Sequence, residues 1–225
     1  MEFGNIKIEW LGHSGFMLKG EKVIYIDPYK IGNASAHEMA DIVLITHSHY
    51  DHCSLEDLHK IVKDGTIVVM PADAQSKITK IDKKIEMKIV EPGDSVDLGI
   101  KIDAHHAYNV GKEFHPKNEG WVGYVVKAGN FILYHAGDTD VIQEMNKLTG
   151  YGKKGNDFVA LLPVGGKFTM SAEEAVEAAK IIRPSLAIPM HYGEVIGTID
   201  DAKKFVELCK TNDINATLLE KKHVS

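Results

Sequence analysis

Thr46-His47-Ser48-His49-Tyr50-Asp51-His52 sets three imidazoles and a carboxylate within seven residues. The residues before it, Asp41-Ile42-Val43-Leu44-Ile45-Thr46, are mostly β-branched and apolar, which predicts a strand covered on both faces. After it, Ser54-Leu55-Glu56-Asp57 reads as a helix start, with Leu55, Leu58, Ile61 and Val62 as the buried stripe. The run therefore occupies a strand-to-helix turn at the carboxyl edge of a sheet, where α/β proteins place their chemistry. Side chains alternate in extended backbone, so His47, His49 and Asp51 point one way, and the turn brings His52 round to them. That donor set suits a borderline-soft divalent ion such as zinc. A solvated polar loop explains four candidate ligands at this spacing poorly.

Working outward, Ile6-Lys7-Ile8-Glu9-Trp10, Phe16-Met17-Leu18 and Val23-Ile24-Tyr25-Ile26 predict a strand meander ending at Asp27-Pro28. Beyond the central helix come a strand at Thr66–Met70 and a helix through about Ala72–Lys80. Antiparallel strands at Ile85–Val90 and Ser95–Ala107 are expected around Pro92-Gly93-Asp94. A hairpin over Trp121–Lys127 and Phe131–His135 and a buried strand at Asp157–Pro163 follow. Ser171-Ala172-Glu173-Glu174 is a capping box opening a helix that Arg183-Pro184 stops. Leu186–Met190 leads to His191, Asp200–Thr211 is the last helix, and Ala216–Leu219 is expected to close the sheet. Strand-then-helix order occurs in both halves, so one domain over residues 1–225 is expected.

The chain resembles the metallo-β-lactamase-fold hydrolases. The histidine run carries the resemblance, with Trp10-Leu11-Gly12-His13-Ser14, Asp27-Pro28, Tyr134-His135-Ala136-Gly137-Asp138-Thr139, Pro163-Val164-Gly165-Gly166 and Pro189-Met190-His191-Tyr192. Within that family it is most similar to the compact subgroup that includes L-ascorbate-6-phosphate lactonase-like proteins. The resemblance implies an α/β (α+β) fold, a four-layer αββα sandwich, with one or two metals at one edge. It implies His47, His49 and His115 on one ion, Asp51, His52 and His191 on the other, and Asp138 bridging them. The cofactor expected is a pair of divalent ions, zinc first, with manganese, nickel or iron as alternatives. Asp51 and His13 are the expected catalytic residues, His13 touching either substrate or metal unless it is a plain loop histidine, and Tyr192 lies where substrate would bind.

Three positions admit two readings. Asp27 is either a brace for a metal-binding histidine, as in the similar family, or a turn carboxylate before proline. The third imidazole on the first ion is either His106, at the inner end of the strand from Ile100, or the loop residue His115. His115 is preferred because Ala107-Tyr108-Asn109 and Phe114-His115-Pro116 resemble one branch of the subgroup. Lys167, in Gly165-Gly166-Lys167-Phe168-Thr169, is either a solvent-facing lysine or a positive charge that pairs with a substrate phosphate or carboxylate.

Imidazole-rich coordination lowers the pKa of a bound water from 15.7 toward about 7. The expected reaction is thus attack of a metal-activated hydroxide on a small ester, lactone or phosphodiester. Alternatives are an RNA or nucleotide phosphodiesterase of the same fold and a non-hydrolytic metal-binding sensor; a flavo-di-iron oxidoreductase is disfavoured, since no flavin domain follows. A net charge of −6 without a Lys/Arg cluster speaks against nucleic acid. No apolar run reaches the ~20 residues of a membrane span. Two cysteines form no disulfide framework and no signal peptide is read, so a cytoplasmic setting is expected. The partner expected is a small molecule, with an anionic substrate and a homo-oligomer left open.

Overall fold

Two mixed sheets make up the computed structural model, which describes residues 1–153 and 155–222. They lie in two compact units, Met1–Val90 with Leu219–Ser225, and Glu91–Leu218.

The first unit holds β1 Glu2–Phe3, β2 Ile6–Gly12, β3 Gly15–Lys19, β4 Val23–Ile26, β5 Ile42–Leu44, β6 Ile67–Met70 and β7 Glu86–Ile89, side by side in that order. β1 to β4 pair antiparallel and β4 to β7 pair parallel. Alternation in β2 buries Ile6, Ile8 and Trp10, while all of β5 is buried, as its apolar run predicts. Helix α1, Leu55–Ile61, is capped by Ser54, whose hydroxyl accepts from the Asp57 N–H. Leu58 and Ile61, with the following Val62, pack into a cluster with Met17, Tyr25, Val43, Val68 and Met70. Fully burying one such side chain is worth about 1.5–3 kcal/mol. The helix expected through Lys80 is shorter, a 3₁₀ turn at Ala72–Ala74 running into α2, Gln75–Ile78.

The second unit repeats the plan with β8 Ser95–Asp97, β9 Lys101–His106, β10 Val122–Ala128, β11 Phe131–His135, β12 Asp157–Pro163 and β13 Leu186–Met190. β8 to β11 pair antiparallel and β11 to β13 pair parallel. The capping boxes Ser171/Glu174 and Thr198/Asp201 open α3, Ala172–Ile182, and α4, Ile199–Thr211. α3 ends where Arg183 turns left-handed, φ 54°, before Pro184.

Two expectations are corrected. β7 does not form a hairpin with the strand after Pro92-Gly93-Asp94; it extends the first sheet, parallel to β6. The hairpin forms instead at Gly99, between β8 and β9, where φ of 78° favours glycine. Ala216–Leu219 is not a strand: one bridge, Ala187 to Ala216, joins it to β13. Its pairing centres on Ala187, which donates to the Asn215 carbonyl (2.9 Å) and accepts from the Thr217 N–H (3.1 Å).

The parallel strands position the chemistry. Asp27 follows β4 and the histidine run follows β5; in the second unit Asp138 lies beyond β11, Gly165 beyond β12 and His191 directly after β13. Each is at a carboxyl end, where helix-connected strands expose loops.

Candidate metal-binding site

In the first unit, Thr46 and Asp27 organise the run. Asp27 is fully buried and accepts from the Thr46 backbone N–H (2.8 Å), the Thr46 hydroxyl (2.5 Å) and His52 Nδ1 (2.7 Å). A carboxylate only accepts, so Nδ1 of His52 carries the proton and Nε2 presents its lone pair. That is how a carboxylate orients and enriches a metal-binding imidazole. Asp27 is thus a brace, and the turn geometry serves it: its φ of 44° is left-handed, a region that Asp tolerates better than most residues.

The imidazoles crowd together. The His47 ring centroid is 4.1 Å from that of His52 and 4.6 Å from that of His49. His13, on the turn between β2 and β3 and also left-handed (φ 52°), places Nε2 3.0 Å from Asp51 Oδ2. His52 Nε2 lies 3.7 Å from the same oxygen. His13, Asp51 and His52 each offer a ligand atom within 4.8 Å of the others. One buried carboxylate oxygen thus stands between two imidazole nitrogens.

The second unit builds a matching group around Asp138. Oδ2 of this buried aspartate is 3.2 Å from His115 Nε2 and 3.0 Å from His191 Nε2. His115 arrives on a long loop that hydrogen bonds tie down. Asn109 Oδ1 accepts from the His115 backbone N–H (3.1 Å) and faces Nδ1 at 3.0 Å, while Asn109 Nδ2 donates to the Phe168 carbonyl (2.9 Å). The Phe168 carbonyl also lies 3.1 Å from His115 Nδ1. Both neighbours of Nδ1 are acceptors, so the proton is there and the Nε2 lone pair faces the Asp138 carboxylate. A lone pair against a carboxylate is unfavourable unless a second proton or a cation lies against both. A divalent ion would supply that cation, and this donor chemistry fits one.

Further ties hold the loop. Asp140 takes the Val110 N–H (2.8 Å) and the Lys112 ammonium (2.6 Å). Glu144 takes the Tyr108 hydroxyl and Lys117, each at 2.8 Å. Burial works to raise the Glu144 carboxyl, but these two partners outweigh it and hold its pKa down to about 2. His191 has the left-handed φ of 60°, and a Cβ on Gly165 would come within 2.9 Å of its Nδ1. Glycine at 165 is therefore what lets the imidazole sit there. His135 is buried and accepts the Gly137 N–H on Nδ1 (3.2 Å), shaping the turn that presents Asp138.

The chain matches the beta-lactamase superfamily domain over residues 7–191. It is 36% identical to a UPF0173 metal-dependent hydrolase of Thermoplasma acidophilum over 218 residues, covering 92% of each chain. A relative of the same name from Pyrococcus furiosus is also 36% identical, over 90% of this chain and 92% of that one. This protein belongs to the UPF0173 metal-dependent hydrolase family. Among solved structures, a metallo hydrolase of Ignicoccus hospitalis superposes on this UPF0173 hydrolase with a TM-score of 0.76, at 26% identity, over 97% and 96% of the two chains. A diiron beta-hydroxylase from Streptomyces venezuelae, 15% identical, shares the fold alone (TM-score 0.71, 97% of this chain and 53% of that one). The metallo-β-lactamase-type fold expected from the motifs is that of this enzyme, a metal-dependent hydrolase. No helix among the described residues is long and apolar enough to cross a membrane.

The remaining candidates of this hydrolase fall in different places. His106 ends β9 opposite Val122, edge-on to Tyr108 at 6.2 Å, and lines a surface cleft with His105, Glu144 and Lys147. Burial holds its pKa below the usual imidazole range. It is His115 that the structure brings to Asp138. Lys167 is exposed, its ammonium 5.1 Å above the Phe168 ring. Tyr192 is buried, and burial pushes its phenol up to about 12, so it is a neutral hydrogen-bonding group. Spacing along the chain does not single out Asn109, Asp140 or Thr46 as partners. Asn109 lies in Ala107-Tyr108-Asn109, but nothing in its position says which histidine it orients.

Proposed function

We propose that this enzyme hydrolyses a small ester, lactone or phosphodiester at a centre of two divalent ions, zinc first. His47, His49 and His115 would hold one ion, Asp51, His52 and His191 the other, with Asp138 shared. That division follows the motif order. The observation that carries the reading is the repeated arrangement within each unit: one carboxylate oxygen between two imidazole Nε2 atoms, with Nδ1 of His52 and of His115 each engaged by an acceptor. When bound, such ions supply a water acidified toward neutrality and a Lewis acid for the scissile carbonyl or phosphoryl oxygen.

The chain's own groups supply the rest. Asp51 would orient the attacking water, and its Oδ2, 3.0 Å from His13 Nε2, brings His13 beside it as the second proposed catalytic residue. Asp27 keeps His52 in one tautomer, and Asn109 does so for His115. Lys167 and Tyr192 are the proposed substrate contacts, the first for an anionic group, the second as a hydrogen-bond donor. A lactone ring is the favoured ester, in keeping with the lactonase-like resemblance. Two free, buried cysteines, Cys53 and Cys209, support a reducing, cytoplasmic setting.

Metal content of the purified protein, counted by anomalous scattering, is the first test, and a panel of lactones, simple esters and a generic phosphodiester is the second. Turnover of a lactone or ester that disappears with His49→Ala, together with the metal, is the expected result. Full metal and activity in that variant would end the ligand assignment. Cleavage of the phosphodiester alone would move the enzyme to the phosphodiesterase class, and metal without any turnover to a sensor.

A further inference from the structure

β7 closes one edge of the first sheet, and no strand among the described residues pairs with its outer side. All four of its residues, Glu86-Met87-Lys88-Ile89, are exposed, Met87 at 38% and Ile89 at 46%. The other edge of that sheet is only the two-residue β1. The Glu86 and Val90 N–H groups donate to the Thr66 and Met70 carbonyls, both at 2.9 Å, and so face β6. Backbone groups alternate sides along a strand, so Met87 and Ile89 turn theirs to the open edge. An exposed edge that carries large apolar side chains is a template for another strand.

Which strand it fits follows from its own sequence, Ile85-Glu86-Met87-Lys88-Ile89, which complements itself when reversed. A twofold contact requires that every pairing of one residue with another occur a second time with the copies exchanged. Antiparallel and centred on Met87, the contact sets Met87 on the partner's Met87, Ile85 on the partner's Ile89 and Glu86 on the partner's Lys88. Outward backbone groups meet outward groups only if the partner slides by two residues at a time. The two neighbouring registers then put Glu86 on Glu86 or Lys88 on Lys88, and like charges directly opposite are destabilising. Lys88 already lies 3.7 Å from Glu86 of its own strand, both side chains exposed. The pairing needs neither charge to be free, because it sets each such pair against the opposite signs of the other copy. Ile85 is partly buried against the core of Leu58 and Ile61, and Met87 and Ile89 share its face by alternation. The contact therefore continues an apolar face across the joined edges.

We infer that β7 is an interaction surface for a second copy of this chain, which adds its own β7 antiparallel, centred on Met87, and joins the two seven-stranded sheets into one. Because the pairing is antiparallel, the carboxyl ends of β4 to β6 point in opposite directions in the two copies. The histidine run after β5 is therefore at neither side of the contact, and metal binding does not depend on it.

The test is sedimentation equilibrium of the full chain at low salt over a concentration series, in which the wild type should associate to a dimer. Glu86→Lys and Lys88→Glu each create two like-charge pairs across the contact, and each should weaken the dimer about tenfold or more. Mixed in equal amounts, the two variants face each other with opposite signs. The mixed dimer should regain the wild-type affinity, although the Glu86–Lys88 contact within each strand is not restored. Met87→Pro removes the outward N–H at the centre of the contact and leaves the donors to β6 in place. It should abolish the dimer with the circular dichroism spectrum and metal content unchanged; if the proline instead unfolds the edge, the mixture of charge variants decides. A wild type that stays monomeric at millimolar concentration, a dimer that survives a folded Met87→Pro, or a mixture no tighter than either variant alone would overturn the surface.

Discussion

His115 and His106 show how much one side-chain neighbour decides. Both are histidines near the end of the same stretch, but only His115 has Nδ1 engaged by the Asn109 and Phe168 oxygens and Nε2 turned to Asp138. Losing a partner that orients a ligand costs about 10–100-fold in metal affinity. Asn109→Leu should therefore weaken metal binding by that factor, measured by competition with a chromogenic chelator, while Asn109→Asp, which keeps an acceptor, stays within a few fold. His115→Ala should lose more metal than Asn109→Leu, and His106→Ala should lose none. A larger loss in His106→Ala than in His115→Ala would return the strand-end histidine to the ligand set.

Strand ends and helix starts control the geometry one level up. Gly165, just past β12, leaves room for His191: an added Cβ would meet the His191 carbonyl oxygen at 2.8 Å and its Nδ1 at 2.9 Å. Gly165→Ala should displace the imidazole and lower activity and metal content together, and a destabilisation of about 1–3 kcal/mol is expected from the overpacking. Wild-type metal content in this variant would show that the neighbouring backbone yields instead. At the start of α1, Asp57 gathers Lys60, the Ser54 hydroxyl and the backbone N–H groups of Lys30 and Ile31. Burial works to raise its carboxyl, but these donors outweigh it and hold it below the usual carboxylate range. A carboxyl whose pKa is depressed by folding stabilises fully above its unfolded value, about 3.9, and loses that contribution as pH falls below it. The stability of the wild type should fall below about pH 4, and Asp57→Ala, less stable at neutral pH, should show a shallower acid limb in urea titrations. Parallel acid limbs would remove Asp57 from the acid sensitivity.

At the scale of the whole molecule, each unit gathers buried histidines around an aspartate, an arrangement that a bound cation favours. Metal bound to the folded form alone stabilises it by about 2.7 kcal/mol at a hundredfold excess over Kd. For a chain of this length that is a rise of about 5–10 °C in apparent Tm. Chelation should lower the Tm by that amount and abolish hydrolysis, and zinc should restore both. An unchanged Tm after complete metal removal would mean that the clusters are satisfied without an ion. The common plan of the two sheets, antiparallel strands leading into parallel ones, puts the candidate ligands of both units beyond the parallel strands.

Local features are legible in the sequence itself. The apolar run of β5, the alternation of β2, the histidine run after β5 and the capping of α3 and of α1 each depend on residues within a turn or two of one another, so spacing alone reports them. The order of motifs likewise pointed to the metallo-β-lactamase-type fold, while membership of the UPF0173 family came from the similarity to its relatives. What the chain order left open was set by groups far apart. Asp27 became a brace because β4 and β5 lie side by side, which brings its carboxylate to His52, 25 residues away. His115 reached Asp138 because the loop between β9 and β10 is held by Asn109, Asp140 and Glu144. β7 joined the first sheet rather than a hairpin because an edge strand takes whichever neighbour offers a free ladder, and β6 did. Periodicity encodes which face of an element is buried, but convergence of distant polar groups depends on strand order, register and loop hydrogen bonds, which exist only once the chain has folded.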